Sequence, residues 1–153
     1  MSDRQAFEAA KRASTAQLLF KVARLVNERA IARVAGKGMA PRAAHTALLP
    51  HIPLEGGIRL STLATKVGIS KQAVGQLVDD MEGAELVERV ADTGDGRAKL
   101  IRYTAKGKKA LMTGIATLRE VETELATAIG ATRFAALHDA LLALHDTLER
   151  PPT

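Results

Sequence analysis

The sequence predicts a mostly α-helical fold that contains one small β-hairpin. Residues 61–83 hold two short helical patterns joined by a turn at Gly68, and two β-type runs follow around a polar, Gly-rich turn. Long helical patterns without proline flank this central region on both sides. Together these observations predict a winged helix-turn-helix, with the hairpin as the wing, between long N- and C-terminal helices.

The N-terminal segment 4–35 is predicted to form one long helix. It contains no Gly or Pro, and its apolar residues recur with helical spacing at Leu18, Leu19, Val22, Leu25, Val26 and Ile31. Gly36 and Gly38 end this pattern, and a shorter helix is predicted to run from Pro41 to Leu49. A loop rich in Pro and Gly leads to a short predicted strand at 58–60.

The central pair of helices is predicted from its caps. Ser61 is expected to cap a helix that runs to Val67, and Gly68 ends it in a left-handed conformation. Ser70 is expected to cap a second helix that runs to Gly83. Its predicted buried stripe is Val74, Leu77, Val78 and Met81, and its predicted outward residues are Lys71, Gln72, Ala73, Gly75, Gln76 and Asp79.

The outward face of the second helix carries side chains suited to reading DNA. Gln72 and Gln76 stand one turn apart, and Gln can bond adenine through two hydrogen bonds in the major groove. Lys71 is better placed for a phosphate, and Ala73 for a thymine methyl group. Gly75 either permits close approach to the groove or packs closely on another helix. With Ser70, these residues form the predicted recognition surface.

The β-type runs 86–90 and 99–103 are predicted to form the wing, with its turn at 92–97. Arg97 follows two glycines and can project into a narrow minor groove. A carboxylate is unfavourable next to DNA, so Asp95 is expected to orient an arginine or to cap the turn. Lys99 completes the predicted wing contacts, and Ser61 and Arg102 are candidates for phosphate contacts. The segment 97–109 holds six basic residues and no acidic residue, which suggests a polyanionic partner.

Two further helices are predicted at the C-terminal end. Thr104 can cap a helix that ends near Ile129, and Thr132 can open the last helix. Apolar residues of the last helix form a narrow heptad seam at Phe134, Leu137, Leu141, Leu144 and Leu148. The seam fits either a dimer interface or a helix pair within one chain.

Composition argues against several classes of protein. Only 3% of residues are aromatic, which disfavours readout of single strands by base stacking. The chain has no Cys, so thiolate metal sites, disulfides and thiol redox sensing are excluded. No segment reaches the roughly 18 apolar residues of a membrane span, and no signal-peptide core is present, so we expect a cytoplasmic protein without membrane contact. The usual catalytic and nucleotide-binding motifs are missing, and we expect neither an enzyme nor a cofactor.

At this point the sequence resembles the MarR family of winged helix-turn-helix regulators over nearly its whole length. The resemblance is carried by the ordered set Leu63-Ala64, Val67-Gly68-Ile69-Ser70, Val74, Leu77-Val78-Asp79, Leu86-Val87-Glu88-Arg89, Asp92, Asp95-Gly96-Arg97-Ala98-Lys99-Leu100-Ile101 and Thr104-Ala105-Lys106-Gly107. The wing departs from the family pattern, because glycines stand at 94 and 96 where arginine is common. Arg97 matches the second wing arginine.

The resemblance implies a homodimer that binds a pseudo-palindromic site on double-stranded DNA, with residues 1–35 and 105–150 as dimerisation helices and 36–104 as the DNA-binding lobe. It also implies a transcriptional regulator, most often a repressor released by a small-molecule effector. Arg24, His45 and His51 are candidates for polar contacts to that effector. Two alternatives stay open. One is a protein-interaction module that has lost its DNA target. The other is a metal-responsive regulator that uses His138 and His145, although their spacing suits a single ion poorly.

Overall fold

The computed structural model describes residues 2–36 and 42–150. Seven α-helices occur in this part of the chain: α1 (Asp3–Ala13), α2 (Thr15–Gly36), α3 (Ala43–Thr46), α4 (Leu60–Val67), α5 (Lys71–Gly83), α6 (Ala105–Ile129) and α7 (Ala131–Glu149). A 3₁₀ turn, Leu49–His51, follows α3. The strands are β1 (Ile58–Arg59), β2 (Val87–Asp92) and β3 (Asp95–Tyr103). The predicted fold class, mostly helical with a small β wing, is confirmed. Among the described residues, no helix is both long and apolar enough to cross a bilayer.

The three strands form one antiparallel sheet in the order β1-β3-β2. Ile58 of β1 pairs with Ile101, and Val87 of β2 pairs with Tyr103. The hairpin is tighter than predicted, because Asp92 pairs with Asp95 and leaves only Thr93 and Gly94 in the turn. β3 therefore begins at Asp95 rather than at residue 99, and Arg97 belongs to the strand.

The main core lies inside the central lobe. It joins the 3₁₀ turn, α4, α5 and the sheet through the side chains of Leu48, Ile52, Ile58, Leu63, Ala64, Val74, Val78, Met81, Val87, Ile101 and Tyr103. Tyr103 also donates its hydroxyl hydrogen to the Leu49 carbonyl at 2.8 Å, and burial raises the pKa of this phenol to about 12. Helix α2 packs against α6, where Ala30 and Val34 of α2 and Val121 of α6 are buried.

Several predicted caps are confirmed. Gly68 ends α4 with a φ of 75°, and the Ser70 hydroxyl accepts the Ala73 N–H at 3.1 Å. The Thr104 hydroxyl accepts the Gly107 N–H at 2.9 Å at the start of α6, which ends at Ile129 as predicted.

The predicted cap at Ser61 is wrong. Pairing of β1 with β3 ends at Arg59, so α4 begins at Leu60 and Ser61 is its second residue. Arg59 holds the cap position, and no side chain caps the helix there. Helix α7 also begins one residue before Thr132, with Gly130 at the cap position.

Two predicted helices have different extents. The N-terminal helix is divided at Ser14, whose backbone is extended and whose hydroxyl accepts the Gln17 N–H at 3.4 Å. A serine that can cap a new helix competes with continuation of the old one. The helix predicted from Pro41 to Leu49 reaches only Thr46, where the Leu48 N–H donates to the His45 carbonyl in place of the α-helical bond to Ala44. Pro50 has no N–H to donate to the Thr46 carbonyl, so the α-helix cannot extend to Leu49. Pro41 itself lies outside the described residues.

A close backbone contact joins the sheet to α6. A Cβ built on Gly107 would lie 1.8 Å from the Leu86 carbonyl oxygen, which is far inside any tolerated contact. Thr104 adds a hydrogen bond from its hydroxyl to the Glu85 carbonyl at 2.5 Å. The position therefore admits only glycine while α6 stays where it is.

We predict that Gly107→Ala lowers the free energy of unfolding by about 2–4 kcal/mol, because the methyl group forces α6 away from Leu86. Chemical denaturation measures the change. The matched control is Gly83→Ala at the end of α5, where a Cβ meets nothing within 4 Å and helix propensity should leave stability equal or up to ~1 kcal/mol higher. Equal effects of the two substitutions would contradict the role given to this contact.

Candidate nucleic-acid interface

Helix α5 has a buried face and a free face, as predicted. Val74, Val78 and Met81 are fully buried against the core, and Leu77 is half-buried beside them. On the opposite side Lys71, Gln72 and Gln76 are exposed, and none of their side chains has a hydrogen-bond partner among the described residues. These three groups are therefore available to bind a partner without first breaking an internal contact.

Ala73 and Gly75 lie at the margin of the free face and are half-buried. A Cβ on Gly75 would meet Leu60 Cδ2 at 3.9 Å, an ordinary van der Waals contact. Helix packing therefore does not require glycine here. Beside Gln76 the surface forms an open depression of about 550 Å³, lined by Ala73, Gln76, Leu77, Asp79 and Asp80.

The acidic end of α5 is neutralised by arginines from other elements. Arg89 of β2 pairs with Asp79 at 2.6 Å and also with Glu82. Arg42 pairs with Asp80 at 2.7 Å. These two arginines offset two of the three negative charges that would oppose a polyanion, while the positive charge of Lys71 stays free at the start of the helix. Sequence reasoning did not single out Arg42 or Arg89, because their partners are distant in sequence.

The wing tip is held by a third arginine that the sequence analysis missed. Arg59 of β1 donates to Asp92 Oδ2 from Nε at 2.8 Å and from Nη2 at 2.6 Å. Asp92 Oδ1 accepts the Gly94 N–H at 3.0 Å. Asp95 Oδ1 accepts the Arg97 N–H at 3.2 Å, and its other oxygen lies 3.9 Å from Arg59 Nη2. Asp95 thus orders the backbone at the start of β3, next to the turn.

The basic segment 97–109 divides into paired and unpaired residues. Arg102 pairs with Glu88 at 2.7 Å, Lys106 with Glu85 at 2.9 Å and Lys108 with Glu55 at 2.6 Å. The side chains of Arg97, Lys99 and Lys109 are exposed or half-exposed and have no ion-pair partner in the described ranges 2–36 and 42–150. Arg97 and Lys99 are the predicted wing residues, whereas Arg102 would have to share its charge with Glu88. Ser61 is exposed on α4.

A second cavity, of about 260 Å³, lies where the loop before β1 meets the start of α6. Two of the ion pairs just described line it, since its residues are Leu54, Glu55, Gly56, Glu88, Arg102, Tyr103, Thr104, Ala105 and Lys108. Its charged groups already compensate one another.

The predicted effector residues are not gathered in either cavity. Arg24 is exposed on α2 and pairs with Glu28 at 2.5 Å, while His51 is half-buried in the 3₁₀ turn. His45 is buried, and its two ring nitrogens have no hydrogen-bond partner among residues 2–36 and 42–150. Its Nε2 lies 3.9 Å from Asp80 Oδ2. Burial lowers the pKa of His45 below its usual value, although the charge of Asp80 acts in the opposite direction.

The predicted metal ligands are also dispersed. Within residues 2–36 and 42–150, no three His, Asp or Glu side chains converge as a metal site requires. His145 contacts only the neighbouring Asp146, at 3.4 Å.

The central part of the chain is similar to a known protein family. Residues 38–98 match the model of the MarR family. The predicted resemblance is confirmed. A search of curated protein sequences finds no match to this chain.

Solved structures of other proteins share the fold of this chain. The transcriptional repressor CouR, bound to a 23-mer DNA duplex, is 25% identical with a TM-score of 0.67, and the match covers 90% of this chain and 93% of that one. MarR from E. coli is 18% identical with a TM-score of 0.72, covering 86% and 96%. The PcaV regulator from Streptomyces coelicolor, in complex with its natural ligand, is 18% identical with a TM-score of 0.62, covering 90% and 96%.

The burial of His45 predicts a pH dependence of stability. The unfolded chain binds a proton at His45 near pH 6.5, whereas the folded chain resists protonation, so the free energy of unfolding falls as the pH drops from about 7 to 5.5. His45→Leu should make this decline shallower. Denaturant unfolding at a series of pH values measures it, with His51→Leu as the control that keeps His45. Parallel curves for wild type and His45→Leu would contradict the prediction.

Proposed function

We propose that this chain is a homodimeric, sequence-specific regulator of transcription that binds double-stranded DNA. The observation that carries the proposal is the division of charge on α5. Its exposed first turns offer Lys71, Gln72 and Gln76 without internal partners, while its acidic end is compensated by Arg42 and Arg89. A helix with these properties suits the major groove of DNA, where amide groups bond base edges and ammonium groups bond phosphates.

In this proposal the recognition surface comprises Ser70, Lys71, Gln72, Ala73, Gly75 and Gln76. Gln72 and Gln76 read bases, and Lys71 binds a phosphate. A good bidentate contact discriminates by about 1–3 kcal/mol, so each glutamine should affect preference at particular base pairs.

The wing provides the second contact. Arg97 and Lys99 project from β3 without ion-pair partners among the described residues, and Asp95 orders the backbone of the turn. An arginine in a narrow minor groove gains from the concentrated negative potential there. The candidates for phosphate contacts are Ser61, which is exposed on α4, and Arg102, which is exposed and pairs with Glu88.

A second copy of the chain is the expected partner of the terminal helices. Helices α1 and α7 contain no buried residue, although most helical stability in proteins comes from packing of an apolar face. Phe20 of α2 is 75% exposed and Leu148 of α7 is 82% exposed. The seam residues Leu137, Leu141 and Leu144 are exposed as well, and Phe134 is half-buried. We therefore assign residues 1–35 and 105–150 to dimerisation and 36–104 to DNA binding, and a two-fold dimer suits a pseudo-palindromic operator.

Two relatives support the rest of the proposal. CouR is a repressor solved on a DNA duplex, and PcaV is a regulator solved with its natural ligand. By analogy this chain is a cytoplasmic repressor released by a small-molecule effector. Arg24, His45 and His51 are the residues we propose to contact it, and the buried imidazole of His45 has unused hydrogen-bonding capacity for a polar group.

A protein-interaction module is the second candidate. The observation that favours it is the pairing of Arg102, Lys106 and Lys108 with glutamates, which halves the free positive charge of the basic segment. Such a module would show only weak, salt-sensitive affinity for DNA of any sequence.

We expect the protein to enrich one partly symmetric sequence from a random duplex library in repeated rounds of selection. On the selected duplex, Gln72→Ala or Gln76→Ala should reduce the preference at individual base pairs by about 1–3 kcal/mol, whereas Arg97→Ala should weaken binding to all variants of the site alike. Fluorescence anisotropy across a salt series measures both.

The control for these variants is Lys109→Ala, which removes an unpaired positive charge outside the proposed interface. Failure to enrich any sequence, with equal salt-sensitive binding to all duplexes, would reject the regulator and favour the interaction module.

The dimer interface is tested on α7. We predict that Leu141→Glu with Leu144→Glu converts the protein to monomers, because two charges would be buried in the seam. Sedimentation velocity measures the mass. Ala135→Glu adds a charge on the far side of the same helix and should leave the dimer intact. A wild-type protein that sediments as a monomer would contradict the assignment.

A further inference from the structure

We propose that Arg59 is a positioning residue of the wing, which occupies the carboxylates of the wing tip so that the Arg97 side chain stays unpaired. This inference rests on the proposed contact of Arg97 with DNA. Arg59 itself lies on β1, outside the hairpin that forms the wing.

The contact crosses the whole sheet. β3 lies between β1 and β2, so Arg59 must reach over β3 to bond Asp92 at the end of β2. Two donors of Arg59, at 2.8 and 2.6 Å, converge on the same oxygen of Asp92. The strand that it crosses has a small residue, Ala98, beside the tip. Arg59 thereby ties the free end of the hairpin to the strand that enters α4.

The wing tip brings negative charge close to Arg97. Asp95 bonds the Arg97 backbone N–H at 3.2 Å, so its carboxylate lies within reach of the flexible Arg97 side chain. Asp92 is opposite Asp95 in the hairpin. Two carboxylates close to a flexible arginine side chain attract it electrostatically. Here Arg97 has no ion-pair partner in the described part of the chain, whereas Arg59 contacts Asp92 and lies 3.9 Å from Asp95.

The arrangement has a physical consequence for binding. If Arg97 were paired with Asp92 or Asp95, that pair would have to break before Arg97 entered a groove, and the released carboxylate would face the phosphates. With Arg59 in place, Asp92 is already bonded, and the same positive charge acts on Asp95 from 3.9 Å. The pKa of Asp92 agrees with this charge balance: it lies below its usual value because of the Gly94 N–H and then the Arg59 guanidinium.

The first test is a double-mutant cycle on DNA binding. The probe is a fluorescein-labelled mixed-sequence duplex that contains an A-tract, and fluorescence anisotropy measures its affinity for the protein. Arg59→Gln should weaken binding roughly tenfold, because Arg97 is captured. Asp92→Asn with Asp95→Asn keeps the oxygens that accept the Gly94 and Arg97 N–H groups but removes both negative charges, and it is the second background of the cycle. Adding Arg59→Gln to this pair should then cause little further loss.

The cycle separates positioning from direct contact. A tenfold loss from Arg59→Gln in both backgrounds would mean that Arg59 binds DNA itself, and no loss in wild type would mean that it does not act on the wing. Either result overturns the proposal. Arg59→Lys keeps the charge but has only one donor nitrogen, so its DNA affinity should lie between those of wild type and Arg59→Gln. This variant replaces Arg59→Gln in the test if the glutamine variant does not fold.

The second test needs no DNA. The Nε–Hε signal of Arg97 in ¹H–¹⁵N NMR spectra, assigned with Arg97→Lys, should exchange rapidly with water in wild type. It should shift and become protected in Arg59→Gln, and return when Asp92→Asn and Asp95→Asn are added. An unchanged signal overturns the proposal. If instead Arg97→Ala leaves DNA affinity unaltered, the proposed role of Arg97 in DNA binding fails, while the NMR comparison still decides whether Arg59 keeps it unpaired.

Discussion

The contact between Gly107 and the Leu86 carbonyl is the constraint on which the arrangement of the other elements depends. Around it the Thr104 N–H donates to the Leu86 carbonyl at 3.1 Å, and the Leu86 N–H donates to the Met81 carbonyl at 2.9 Å. The end of α5, the start of β2, the end of β3 and the start of α6 therefore meet at one point. Glu85 adopts a φ of 60° there, a backbone conformation that residues other than glycine adopt infrequently. The direction of α5 and the direction of the wing are fixed together.

Ion pairs distribute charge over the surface that this junction holds in place. Arginines from three different elements, Arg42, Arg59 and Arg89, compensate acidic residues of α5 and the wing tip. Most of these pairs are partly exposed, so each contributes little to stability. Their larger effect is on which charges remain free. Lys71, Arg97 and Lys99 have no ion-pair partner among the described residues, and these are cations that the proposed function places at DNA.

The terminal helices pose a different physical problem from the central lobe. The lobe encloses a contiguous core, whereas α1 and α7 bury no side chain and α2 buries only Ala30 and Val34. Apolar surface on that scale is costly in water, and folding of a second copy against it would remove the cost. In the proposed dimer, the heptad repeat of α7, whose main contact within the chain is with α6, would pack against the second copy.

The sequence alone determined the elements whose signals are local. Gly68, Ser70 and Thr104 end or cap helices through contacts within four residues, and the stripe of Val74, Val78 and Met81 sets which side of α5 is buried. Even so, the prediction of one N-terminal helix was wrong at Ser14, where a serine able to cap a new helix interrupts a continuous apolar pattern. Pairing with a distant strand moved the start of α4 from Ser61 to Leu60. Only the tertiary structure decided that Arg59, Arg42 and Arg89 pair with the acidic side chains and leave other cations unpaired. Their partners lie 33, 38 and 7 to 10 residues away in sequence. Periodicity and capping report a residue's neighbours along the chain, but the pairing of long charged side chains depends on which surfaces the folded core brings together.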